Sequence, residues 1–103
     1  DDVKFTGGTI SVTAANHGVD ANDSVRIASA NITIVSGKDG VHVENTSDTT
    51  KGYFYMESGY LKITAGYDGI DASGTVQVTG GITDITEGGV SGKTLSSSDI
   101  STK

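Results

Sequence analysis

The chain contains no cysteine, no proline and no tryptophan, and its single arginine is Arg26. Without cysteine there can be no disulfide, no Cys-ligated structural zinc and no thiol nucleophile. Thirteen acidic residues against seven basic ones leave a formal net charge of −6, so a phosphate backbone would be repelled and nucleic acid is excluded as a partner. No apolar run approaches the roughly 20 residues of a membrane-crossing helix, so no membrane span is expected. Apolar residues are also scarce, at 34% of 103 residues. Such poverty can signal disorder, but here the apolar residues are β-branched and regularly placed, and a repetitive β structure needs few core positions per turn. The chain starts at Asp1 with neither an initiator methionine nor a leader pattern, which reads as a processed or cut end.

What is abundant is glycine, 15 residues, together with serine and threonine, and these fall into a repeat. Val12, Ile34, Ile63 and Ile85 lie 22, 29 and 22 residues apart, and Ile10, Ile32, Leu61 and Thr83 keep the same spacing. Val19, Val41 and Ile70 follow suit. A further series, Val3/Phe5, Val25/Ile27, Phe54/Met56 and Val76/Val78, precedes the first by seven residues. Each copy thus holds three short pairs that alternate with polar residues, the mark of half-buried strands. The connecting corners are too short for helices. The expected fold is all-β, a right-handed parallel β-helix (solenoid) of about four 22-residue coils with three strands each. Coils about 4.8 Å apart make a rod roughly 19 Å long. A flexible Gly/Ser/Thr-rich segment would show no such register. Gly7-Gly8, Gly59, Gly80-Gly81, Gly18, Gly40, Gly69 and Gly89 sit at corners, where positive φ or close backbone approach is expected.

Residues 1–103 read as one β-helix domain or a fragment of one, and two places break the pattern. Residues 44–52, ENTSDTTKG, are a polar insertion expected to leave the second copy as a loop. The fourth copy is degenerate, with Thr83 at a core position and a turn before Val90 two residues shorter than its equivalents. Ser98-Asp99-Ile100 falls 22 residues after Val76-Gln77-Val78, so residues 98–103 are expected to begin a fifth coil. Neither end carries a capping helix, and open strand edges invite pairing with a neighbour.

Three constellations could carry chemistry. The corner before each third strand places His17, Asp39 and Asp68 in one ladder and Asp20, His42 and Asp71 in the next. Carboxylates stacked this closely repel. A bound Ca²⁺ would neutralise them through several oxygens, with Asp39, Asp68 and Asp71, and then Asp20, as its candidate ligands. The alternative is that these acids suit turns while His17 and His42 relieve the repulsion. The second constellation is aromatic. Tyr53, Tyr55 and Tyr60, with Lys62 beside them, are expected to face outward as a platform for sugar rings. Tyr is also simply a good strand former whose ring packs sideways on its neighbours. The third is a set of Asn-x-Ser/Thr sequons at Asn22, Asn31 and Asn45, which would carry glycans if the source glycosylates secreted proteins.

Other readings fare worse. A hydroxyl ladder of the ice-binding kind is interrupted by Val35, Lys62 and Asp84. Catalysis of the pectin-lyase kind needs a basic residue among clustered acids, whereas the repeat puts Arg26 on a different strand set from the acidic corner. The chain is therefore expected not to be an enzyme.

The phrases GGTISVTAANHGVDA, ANITIVSGKDGVHV and SGYLKITAGYDGIDASGTVQVTGG resemble secreted parallel β-helix proteins of anaerobic bacteria, the carbohydrate-binding domain-containing proteins. The resemblance runs from about Phe5 to Gly92. It implies a secreted or cell-surface protein that binds polysaccharide, acidic glycans included, with calcium at its coil corners. Asp39, Asp68 and Asp71 match the acidic corner of that family, and Asp20 matches it less closely because His17 replaces the neighbouring acid. The alternative role is structural: open-ended coils self-associating head to tail into an extracellular filament.

Overall fold

The computed structural model describes residues 1–87. They form eleven strands: β1 (Asp2–Phe5), β2 (Thr9–Ala14), β3 (Val19–Ala21), β4 (Ser24–Ile27), β5 (Ala30–Ser36), β6 (Val41–Val43), β7 (Tyr53–Met56), β8 (Gly59–Ala65), β9 (Ile70–Ala72), β10 (Val76–Val78) and β11 (Ile82–Glu87). There is no helix among the described residues. The strands are dealt in rotation into three parallel sheets. The first holds β1, β4, β7 and β10, the second β2, β5, β8 and β11, and the third β3, β6 and β9. This is a β-helix-like, all-β arrangement.

Register follows the sequence repeat. Val3, Val25, Phe54 and Val76 lie opposite one another across the first sheet. Ile10, Ile32, Leu61 and Thr83 do so across the second, and Val19, Val41 and Ile70 across the third. Strict alternation decides what is buried. Along β5, Ala30, Ile32, Ile34 and Ser36 point inward while Asn31, Thr33 and Val35 point out. The core lies between the three sheets, where Val25, Ile27, Ile32, Ile34, Val41, Val43, Phe54, Met56, Leu61 and Ile63 are all at most 2% exposed. Each such side chain contributes on the order of 1.5–3 kcal/mol by leaving water, so a short list of core residues holds the fold.

Corners are tight. Gly59 has φ of 106°, and a Cβ there would strike the Ala30 carbonyl oxygen. At Gly40 the constraint is close approach: an added Cβ would meet the Ile63 side chain and lie 2.6 Å from the Gly69 carbonyl oxygen. Residues 44–52 link β6 to β7 without a strand. Asn45 organises them. Its Oδ1 accepts from the amides of Ser47 and Asp48 (3.0 and 2.8 Å), and its Nδ2 donates to Asp23 Oδ1 at 3.0 Å. Gly89, Val90 and the fifth copy expected at residues 98–103 lie outside the described residues.

Candidate functional site

The corners between β5 and β6 and between β8 and β9 carry the acidic ladder. Asp39, at 5% exposure, is the buried member. Its Oδ1 accepts the Asp68 amide at 3.0 Å, and its own amide donates to His17 Nδ1 at 3.3 Å. The side chains of His17 and Asp39 thus each accept from the backbone of the next level. Asp20, His42 and Asp71 are in register one step further on. His42 stands between the two acids, with Nδ1 3.1 Å from Asp39 Oδ2 and 3.2 Å from Asp71 Oδ2. Its Nε2 lies 3.7 Å from Glu44 Oε1.

The electrostatics record the crowding. Burial works against a charged His42 ring, but the hydrogen bond to Asp39 and the charges of Asp71, Asp20 and Asp39 together raise its pKa above the ordinary histidine value. Burial, then the charges of Asp39, Asp71 and Glu87, raise Asp68. Burial and the charge of Asp39 raise Asp71, with His42 opposing.

Asp39, Asp68 and Asp71 offer oxygens within 4.8 Å of one another, and Asp68 Oδ1 is buried with no hydrogen-bond partner among the described residues. An uncompensated acceptor among raised carboxyls suits a hard cation. Asp20 is exposed and belongs to neither ligand-forming group. The imidazole of His42 is wedged into the same corner, and nitrogen is not a calcium donor. The oxygen set therefore fits calcium only on its Asp68 side.

The four residues expected to form a sugar platform are split between two faces. Tyr53 and Tyr55 are on β7 in the first sheet, whereas Tyr60 and Lys62 are on β8 in the second. Tyr60 neighbours Asn31 and Ile82, and Lys62 neighbours Thr33 and Asp84. Alternation within a strand shows that a residue faces out, but not which sheet it faces out from. Tyr53 and Tyr55 are half-buried and border a groove of about 220 Å³ with Lys51, Thr75 and Gln77. On the other side of Tyr55 a hollow of about 60 Å³ is lined by Lys4, Arg26 and Glu57. Arg26 Cζ sits 5.5 Å from the Tyr55 ring centroid, within cation–π range. Lys4, Arg26, Tyr55 and Gln77 share one register line across the sheet.

Among the sequons, Asn22 and Asn31 are exposed. Asn45 is half-buried, and the nitrogen that a glycan would join is the one donating to Asp23. That anchor was legible in advance, because Asp23 and Asn45 are one 22-residue repeat apart.

No curated protein matches this chain. Among solved structures it is similar to a polysaccharide lyase-like protein from C. thermocellum, solved as a gadolinium derivative, with 36% identity and a TM-score of 0.81. That match covers all of this chain but 41% of the other, so the chain spans less than half of its solved relative. The carbohydrate-binding domain-containing protein family matches residues 1–103 throughout, and the chain belongs to that family.

Proposed function

We propose that the chain is a non-catalytic polysaccharide-binding module, a right-handed β-helix of about four coils acting outside the cell, which holds a glycan along the outer face of the β1–β4–β7–β10 sheet. The observation that carries this is Tyr55, which stands between the two hollows with Tyr53 at the rim of the larger one. A pyranose ring presents a C–H face that stacks on an aromatic ring, and an apolar wall with a few placed polar groups is the ordinary form of such a site. Gln77 and Thr75 would bond sugar hydroxyls, and Lys51 and Arg26 would meet carboxylates of acidic glycans. Lys51 already stands 3.8 Å from Asp23 Oδ2 and 4.0 Å from Asp48 Oδ2, so an acidic glycan would compete with these carboxylates for it. Family membership and the lyase-like relative support the carbohydrate reading.

Binding without cleavage is favoured because Arg26 lies over Tyr55 on the first sheet, whereas the acids cluster at corners between the second and third sheets. Calcium at Asp39, Asp68 and Asp71 would serve the fold, by neutralising stacked carboxylates, and not the sugar face.

Affinity electrophoresis through gels containing neutral or uronic-acid polysaccharides tests the proposal. Migration retarded by at least one polymer, with no new reducing or unsaturated ends released, is the expected result. Unretarded migration in every gel refutes binding, and shortened polymer refutes the non-catalytic part.

A further inference from the structure

The calcium reading uses the corner's acids and leaves its two imidazoles without a part. His17 precedes β3, while His42 lies on β6, yet the Nδ1 atoms of both face the same oxygen. They stand 3.5 and 3.1 Å from Asp39 Oδ2. Asp71 Oδ2 is 3.2 Å from His42 Nδ1. In a four-coordinate site with metal–donor bonds of about 2.0–2.2 Å, donors lie about 3.3–3.6 Å from one another. These three separations are within a few tenths of an ångström of that spacing. His17, Asp39 and His42 offer ligand atoms that all fall within 4.8 Å of one another. The carboxylate is also oriented. Oδ1 of Asp39 is held by the Asp68 amide, which turns Oδ2 toward the imidazoles, and such outer contacts are what fix a ligating group.

We propose that His17, Asp39 and His42 form a three-residue binding site for a borderline divalent transition ion of the zinc, nickel or copper class, with solvent completing its shell. Two imidazoles and carboxylate oxygens suit such ions, while calcium requires an oxygen shell. The ion would displace the proton that His42 Nδ1 shares with Asp39 and Asp71, and that proton would leave to solvent. His17 Nδ1 would exchange a long amide contact of 3.3 Å for a metal bond. The two rings, stacked at 10° to one another, would tilt together so that their lone pairs converge. Because His17 precedes β3 while Asp39 precedes β6 and His42 lies on it, the ion would clamp two neighbouring strands of the third sheet. The inference does not depend on the carbohydrate reading.

The test uses the full chain stripped with chelator. Zinc affinity is measured by competition with a chromophoric chelator, and Tm is followed with zinc or calcium added. The expected result is a zinc-induced rise on the order of 10 °C at free ion about 100-fold above Kd, a smaller calcium effect, and visible absorption of four-coordinate type with cobalt. His17→Gln and His42→Gln, each shown folded by circular dichroism, should lose at least tenfold in zinc affinity, whereas Asp68→Asn should keep it. Wild-type zinc affinity in both histidine variants overturns the proposal. So does stabilisation by calcium with none by zinc, which would assign the corner to its acids.

Discussion

The imidazole of His42 stacks on that of His17, with ring centroids 4.3 Å apart and planes within 10° of parallel. The two residues are not register partners, since His42 lies opposite Asp20 and Asp71. Their contact is diagonal, and it places both rings against the one buried carboxylate, Asp39. His42 also reaches Asp71, so one imidazole stands between two acids that would otherwise repel.

That arrangement fixes the sign of a pH dependence in metal-free protein. His42 is raised from 6.5, so its stabilisation is fully present below that value and is lost as pH rises through the folded value. Asp68 and Asp71 are raised from 3.8, so the folded state is favoured by their protonation and disfavoured as they ionise. All three shifts mean that the folded chain binds more protons than the unfolded one. Stability measured by urea unfolding in chelator should therefore fall as pH rises from about 5 to 8, and His42→Gln should flatten the upper part of that curve. Stability that climbs over this range contradicts the assignment.

Leu61 is fully buried in the middle of the second sheet, between Ile32 and Thr83. Leu61→Ala should cost about 2–5 kcal/mol, from lost burial and the cavity left behind. Denaturant titration reads this directly as a lowered midpoint at unchanged slope.

Glycines at equivalent-looking corners should differ. A Cβ at Gly40 collides with Ile63 and the Gly69 carbonyl, whereas at Gly7 it meets nothing within 4 Å. Gly40→Ala should destabilise by about 1–3 kcal/mol through overpacking, and Gly7→Ala should be close to neutral. Paired thermal melts of the two variants make the comparison.

The loop at residues 44–52 hangs on Asn45, which bonds Asp23, Ser47 and Asp48. Asn45→Ala takes the acceptor from the amides of exposed Ser47 and half-buried Asp48 and one of the partners of Asp23, which keeps the Asp1 amine, and should cost about 1 kcal/mol. Because Lys51, at the end of the same loop, lines the groove beside Tyr53 and Tyr55 that is proposed to hold glycan, affinity should fall with it. Amide exchange at Ser47 and Asp48 would report the loosening.

Most of the fold was legible in the sequence because period-2 alternation and a 22-residue spacing each leave a mark on every copy. Ile10, Ile32, Leu61 and Thr83 align by spacing alone, and they share one ladder. The site was less legible. Tyr60 and Tyr55 both face outward, but the corner at residues 57–58 turns the chain onto a different sheet between them. The spacing placed His17 opposite Asp39, as found. Its stacking on His42 depends on side-chain torsions that no repeat specifies. The anchoring of the insertion through Asp23 and Asn45 was available from the spacing, but these two polar residues stand outside the apolar series that defined it.

The sugar face is the account's central claim, and amide chemical-shift mapping with an oligosaccharide tests it most directly. Titration with a fragment of whichever polysaccharide retards the chain should shift residues 53–55, Arg26 and residues 75–77. Tyr55→Ala should weaken binding by tenfold or more, or about 1.4 kcal/mol, while Tyr60→Ala leaves it unchanged. Shifts confined to Tyr60 and Lys62 on the second sheet, or wild-type affinity in Tyr55→Ala, would contradict the account.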